Sequence, residues 1–313
     1  MDTKILIDIV GKRKVFLIIS LVIIVAGLIG FFVRGFNLDI DFTGGTTQQY
    51  NLHKEITDQD ISKLNDIMID VTGEAASSIQ ITGSERQEII IKSKELSSET
   101  RDAAFDAIAA EFGLTVADRY SVDNVSPSVG ADMSRAALIS VIVAVVLMLI
   151  YITIRFSFKS GLSAIICLVH DVLVVLTFYI LFAIPINTSF IAAILTIVGY
   201  SINATIVLFD RVRENKKTMS RDNFANVVNT SIWQTMNRSI LTSLTTFVMV
   251  LLLCIMGVDS IRNFALPIVI GIICGTYSSV FLSGNFWFML ENKSKSGKSS
   301  TPTVKAKAKR AKA

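Results

Sequence analysis

Two ionisable side chains, His170 and Asp171, stand side by side within the apolar run from Gly161 to Ile186. A carboxyl about ten residues from a helix end lies roughly 15 Å along the axis. A charge at that depth in a bilayer costs about 2.5–3.5 kcal/mol on insertion scales. Asp171 must therefore face other helices, be paired, or be protonated. Its chemistry is either proton relay and helix coupling, or that of a neutral acid bonded to a nearby Ser, Thr or Asn. An imidazole is the side chain best suited to exchanging a proton at physiological pH, and the neighbouring His170 sits about 100° round the helix. For it, proton work and simple packing through one hydrogen bond weigh equally.

Other polar groups fall in patterns. In the next apolar run, Gly199, Asn203, Ile206 and Asp210 share a face by their spacing, and Ser201 and Thr205 form a second polar ridge. Further on, Ser239, Thr242, Ser243 and Thr246 form a comparable stripe. Such stripes suit an interior seam against a partner, or serve as packing glue. Asn203 does not titrate, but can hold water or a carboxylate. Arg238 precedes the fifth apolar run. It is either a positive flank at the membrane edge or a deeper residue on a helix beginning near Thr230. The group Asp210, Arg211, Arg213 and Glu214 closes the fourth run, where it would anchor the helix and organise the loop. Gly271 and Gly275 make a small-xxx-small pair for close helix packing.

Hydrolytic and metal chemistry find little support. Only Asp171 lies deep in an apolar run, whereas an intramembrane aspartyl protease needs two carboxylates, and His170 alone does not make a zinc site. No Walker-type G-x-x-x-x-G-K-[ST] run occurs, which argues against ATP hydrolysis. Neither a catalytic residue nor a metal ligand set is assigned, and no cofactor is expected. The cysteines Cys167, Cys254 and Cys274 all fall in apolar runs, where they read as small hydrophobes.

The elements that must position these groups follow from hydropathy. The 313 residues are 51% hydrophobic and 18% charged, with a mean hydropathy of +0.57, more apolar than an ordinary soluble domain. Six runs are long enough to cross a bilayer: Val15 to Val33, Ala136 to Ile154, Gly161 to Ile186, Phe190 to Phe209, Ser239 to Gly257 and Phe264 to Leu290. The first follows Lys12, Arg13 and Lys14, but is too long for a signal-peptide core and lacks a small-x-small site, so it reads as an uncleaved span. Lys and Arg concentrate in residues 1–14, in the second–third and fourth–fifth connections, and after Leu290. The positive-inside bias therefore puts both termini in the cytoplasm and residues 34–135 outside. The five-span bundle covers 136–290. The Lys-rich tail, 291–313, is expected to be disordered.

Residues 34–135 hold 18 Asp/Glu against 9 Lys/Arg, a net of −9, which disfavours nucleic acid. Thr46 to Leu52 reads as a strand, and Thr57 caps a helix to about Thr72. Ser78 to Thr82 and Glu88 to Lys92 form paired strands around Gly83-Ser84, and a second helix runs from Ser97 or Ser98 to Gly113. Leu114 to Val125 supplies the last strand. The order β-α-β-β-α-β is a ferredoxin-like unit. The fold expected is thus a polytopic α-helical membrane protein of six spans, with a ferredoxin-like α+β domain between spans one and two. His53 is expected at the surface.

Three segments carry a resemblance. Asn37 to Gly45, containing Asp39, Asp41, Phe42, Gly44 and Gly45, is similar to the I-D-F-x-G-G signature of the SecD/SecF family. Val169 to Val172 resembles the family's intramembrane H-D pair. Most specific is Gly199 to Asn215, similar to G-Y-S-x-N-D-T-x-V-x-F-D-R-x-R-E-N in the SecF branch. Asn237-Arg238-Ser239 also fits, and the resemblance covers nearly the whole chain apart from the basic tail.

The resemblance implies a bacterial plasma-membrane subunit of the resistance-nodulation-division superfamily. It would pair with SecD in a twelve-span unit beside the SecYEG channel, with the SecA motor and YajC as neighbours and unfolded preproteins as cargo. It implies use of the proton motive force late in translocation, with Arg238 acting together with membrane carboxylates. One departure stands out: Ala204 replaces the acidic residue that usually follows Asn203 in the family. The proton step then falls to Asp171 or to an aspartate of SecD, another ion couples, or the subunit is a passive scaffold. A small-molecule or lipid exporter of the same superfamily is the competing transporter reading; such proteins usually carry a second outer domain and about twice the spans.

Overall fold

The computed structural model describes residues 8–83, 85–219 and 223–298. Among these described residues, six helices are long and apolar enough to cross a membrane. They are α1 (Arg13–Arg34), α5 (Pro127–Arg155), α6 (Phe158–Leu181), α7 (Thr188–Thr218), α8 (Phe224–Met256), and a sixth formed by α9 (Asp259–Tyr277), a π turn (Ser278–Leu282) and α10 (Ser283–Lys298). The chain is a multi-pass membrane protein.

Several helices run past the apolar segments that mark them in the sequence. Asn223 caps α8 through a bond to the Ala225 N–H, so that helix starts fifteen residues before Ser239 and earlier than Thr230. Arg238 consequently lies inside a helix, about 27 Å along the axis from Met256. The third span stops at Leu181 rather than Ile186, because Phe182 to Asn187 pairs with another segment instead. There the Asp39 N–H donates to the Ile186 carbonyl (2.9 Å) and the Ile186 N–H to that of Asn37 (2.8 Å). At the other end of the bundle α10 continues past Leu290 to Lys298. Residues 299–313 of the basic tail, Ser84 and Arg221 lie outside the described residues.

Between α1 and α5 sits an antiparallel sheet of order β2-β3-β1-β4, from β1 (Gly45–Asn51), β2 (Ser78–Thr82), β3 (Glu88–Ser93) and β4 (Arg119–Val125). Helices α3 (Asp58–Thr72) and α4 (Ser98–Phe112) bury Leu64, Met68, Ala104, Phe105 and Ile108 against Tyr50, Ile89 and Ile91 of the sheet. This is the expected ferredoxin-like arrangement, except that the last strand starts at Arg119 rather than Leu114, a 3-10 turn (Val116–Asp118) closed by Thr115 and Asp118 preceding it. Its caps are also the expected ones: Thr57 and Asp60 form a reciprocal box at α3, and Ser97 caps α4. His53 is at the surface, paired with Asp118 (2.6 Å).

The six spans divide into two kinds. In α6, α7 and the sixth span, 56%, 44% and 67% of the most apolar window is buried, against 6–11% in α1, α5 and α8. The first three therefore form the inner seam, while the others turn large apolar side chains outward. Gly271 and Gly275 of α9 make this packing close: a Cβ at Gly271 would meet Ile197 at 2.5 Å, and one at Gly275 would meet Ser201 at 3.2 Å.

Candidate functional site

The inner seam converges on Asp171, which is only 1% exposed. Its Oδ2 accepts from the Ser201 hydroxyl of α7 (2.6 Å) and from the Ser278 hydroxyl at the start of the π turn (2.8 Å). Its Oδ1 lies 3.0 Å from His170 Nδ1, and His170 Nε2 lies 3.0 Å from the Ser20 Oγ of α1. Neighbouring residues on a helix point apart, yet here the ring folds back onto the next carboxylate and bridges it to α1. One chain of hydrogen bonds thus joins α1, α6, α7 and the sixth span.

The π turn inserts an extra residue into the helix, a distortion often found at functional positions. It brings two consecutive hydroxyls into the seam. Ser278 meets Asp171, while Ser279 contacts Thr205 Oγ1 (3.2 Å) and donates to the Ser201 carbonyl (3.4 Å). Below them, Ser283 donates to the Ser279 carbonyl and Ser163 to that of Ser283, both at 2.7 Å. Ser20, Ser278 and Ser279 escaped the sequence reading. Their signal was available: Ser20 is the lone hydroxyl inside the first apolar run, and Ser278-Ser279 are the polar break in the last.

The two polar ridges of α7 face opposite ways. Ser201 and Thr205 are buried, whereas Asn203 is exposed and Ala204 half-buried. Around Asn203 and Ala204 lies a small gap of about 60 Å³, shared with Tyr200, Arg238, Thr242 and Ser243. Arg238 is exposed there, and among the described residues it forms no ion pair. Thr242 and Thr246 bond to carbonyls of their own helix, so the α8 stripe is not joined to the Asp171 network. Asp210 reaches Arg155 (3.7 Å) and Arg211 reaches Glu214 (2.9 Å), while Arg213 donates to the Arg155 carbonyl (3.4 Å).

The signature near residue 40 locks the inserted domain onto the bundle. Asp39 caps the short helix α2 (Ile40–Thr43) and pairs with Lys92 (2.7 Å). Asp41 Oδ2 accepts from the N–H (2.8 Å) and hydroxyl (2.7 Å) of Thr188, the first residue of α7. The Phe42 ring joins the core of Val175, Tyr179, Ile186 and Phe190. Gly44 and Gly45 have φ of +74° and +147°; a Cβ would meet Pro127 at 2.8 Å and the Ser93 carbonyl at 2.5 Å. The bend therefore needs both a left-handed backbone and bare Cα atoms.

Among the described residues, no group of three His, Cys, Asp or Glu is placed to hold a metal.

Known proteins share this architecture. The family described as "Protein export membrane protein SecD/SecF, C-terminal" matches residues 105–293. A protein translocase subunit SecF from Acidaminococcus fermentans is 37% identical over 294 residues, covering 92% of this chain and 98% of that one. A protein translocase subunit SecDF from Bacillus subtilis is 34% identical over 90% of this chain, but only 37% of its own length. The crystal structure of SecDF from Thermus thermophilus superposes with a TM-score of 0.82 at 34% identity, covering 90% of this chain and 38% of that one. Matches this long take in the seam as well as the inserted domain, and on them the chain belongs to the SecD/SecF family of protein export membrane proteins, on its SecF side.

Proposed function

We propose that this chain is the SecF-type half of a SecD–SecF unit in a bacterial plasma membrane. In this reading it assists late preprotein translocation beside the SecYEG channel, driven by proton flow, with both termini cytoplasmic and the acidic domain outside. The SecA motor and YajC are neighbours in the same reading. A larger unit is supported by the SecDF relatives, of which this chain matches little more than a third. It is supported also by the exposed Asn203–Arg238 face: a guanidinium on a bilayer-facing helix is costly, and a partner helix offering a carboxylate would relieve it.

The observation that carries the proton role is the buried His170–Asp171 pair. Ionised, Asp171 accepts three hydrogen bonds, from Ser201, Ser278 and His170 Nδ1–H, while His170 Nε2 accepts from Ser20. Protonated at Oδ1, it donates to His170 Nδ1, and the other tautomer donates from Nε2 to Ser20. Ser278 then has the Gly275 carbonyl, 3.2 Å away, as its acceptor. Both states leave the buried groups bonded, so neither carries the large penalty of an orphaned polar atom. What changes is the charge that draws α7 and the sixth span onto α6. Because Thr188 of α7 is held by Asp41, a shift of α7 would be felt at the inserted domain. The alternative of a passive scaffold is favoured by Ala204 and keeps the same partnership.

The test is export of a preprotein into vesicles holding the channel, the motor, SecD and this subunit. We expect the gradient-dependent part to fall at least tenfold in Asp171→Asn with protein levels unchanged. An undiminished gradient response in that variant would remove the pair from the mechanism.

A further inference from the structure

At the bundle end opposite the inserted domain, a cavity of about 520 Å³ opens between the α5–α6 turn, α7 and α10. Its polar lining is lopsided: Lys159, Arg213 and Lys216 face one carboxylate, Glu291. That carboxylate gathers two of the cations, with Lys159 Nζ at 2.9 Å and Lys216 Nζ at 3.8 Å. Lys216 also lies over the Phe224 ring, 5.3 Å from its centroid, and Arg213 is tied to the Arg155 carbonyl. Among the described residues, its lining therefore carries a net charge of +2 on partly anchored side chains.

Depth and surroundings identify the occupant. Lys159 lies roughly 33 Å along α6 from Leu181, and Arg213 roughly 38 Å along α7 from Thr188. Both distances exceed a hydrocarbon core of about 30 Å, so the cations sit at headgroup level. The wall is aromatic, with Phe156, Phe158 and Trp287, and Phe158 is 63% exposed, as a ring at the interface would be. The last turns of α5 expose Leu147, Ile150, Tyr151 and Ile154, an apolar track leading to this end of the helix. A free anion has no use for that track, whereas a molecule with a phosphate head and acyl chains uses both parts. From this we infer that the cavity binds the phosphate headgroup of an anionic phospholipid from the adjoining leaflet, its chains lying along α5. Basic pockets between helices recognise such headgroups. The inference needs only that the chain spans the membrane, not the proposed proton mechanism.

Native mass spectrometry of the full chain in detergent reads this directly, with phosphatidylglycerol, phosphatidylcholine and inorganic phosphate as separate probes. Phosphatidylglycerol should be retained at least tenfold more tightly than phosphatidylcholine, with millimolar phosphate leaving it in place. The pair Arg213→Gln/Lys216→Gln should weaken phosphatidylglycerol roughly twenty-five-fold, about fivefold per cation. Removing equal charge from the exposed Lys12 and Lys14 should change it less than twofold. Glu291→Gln, which raises the cavity's charge, should tighten binding and tests the site even if the double variant does not fold. Equal weakening by both pairs, equal retention of phosphatidylcholine, displacement by phosphate, or weaker binding in Glu291→Gln would each overturn the inference.

Discussion

Asp41 and Thr188 are joined by two hydrogen bonds, to the backbone N–H and the hydroxyl that open α7. The same helix carries Ser201, which donates to Asp171 in the middle of the seam. A single rigid element thus connects the inserted domain's anchor to the buried carboxylate. Asp41 also places a negative charge where the helix dipole is positive.

Loss of that anchor should loosen the domain without unfolding the bundle. Asp41→Ala removes a helix-end acceptor worth about 1 kcal/mol. Hydrogen exchange at the first turn of α7 should rise about fivefold, while exchange across α6 stays as in the parent. Unchanged exchange at Thr188 and the following residues would show that the contact does not hold the helix end.

The bend after the signature makes a sharper demand. Gly45→Ala meets both a φ of +147° and a carbonyl 2.5 Å from the new Cβ, and should cost more than about 2 kcal/mol. Gly35→Ala meets a positive φ (+72°) in open space and should cost the backbone strain alone, about 1 kcal/mol. Thermal unfolding of the two variants decides between them, and equal losses would refute the steric account.

Acid should weaken the inserted domain through Asp60. The Lys54 ammonium bonded to it, with the Thr57 backbone N–H and hydroxyl, holds its carboxyl at about 2, below its usual value of 3.8. Because the folded value is the lower one, the stabilisation is complete above the unfolded value and disappears as pH falls from about 4 toward 2. Asp60→Asn should therefore flatten the pH dependence of unfolding in that window and leave it unaltered between pH 6 and 8. A parent-like acid slope in the variant would exclude this carboxylate as its source.

Ala204 borders the gap that contains Arg238, so Ala204→Asp should be tolerated. The new carboxylate has a guanidinium within the same gap, unlike a carboxylate placed in the buried seam at Ser201. Expression and melting temperature of the purified protein should stay within a few degrees of the parent. Collapse of expression would show the face to be closed.

Much of this was legible in the sequence because periodicity and caps are local. The strands, both inserted helices, their caps and the six apolar runs need only neighbouring residues. Asp171 stood out because a carboxyl in a long apolar run has few explanations. The rest is tertiary. Spacing alone divides α7 into two polar ridges but does not say that Ser201 turns inward and Asn203 outward. That depends on where α9 lies, and hence on Gly271 and Gly275. The His170–Asp171 bond contradicts simple helical geometry, since it arises from a ring folding back toward its neighbour. The start of α8 at Phe224 was hidden because its first turns intersperse Asn226, Asn229, Thr230 and Ser231 among Phe224, Val227 and Val228, which breaks the continuous apolar run that hydropathy detects.

The most direct measurement is the distance between the inserted domain and the bundle by pulsed electron paramagnetic resonance, with labels at the exposed positions Glu55 and Phe182. It is made in vesicles containing SecD, with and without a proton gradient. The account predicts a gradient-dependent shift in the distance distribution that vanishes in Asp171→Asn. The same shift persisting in that variant would contradict it.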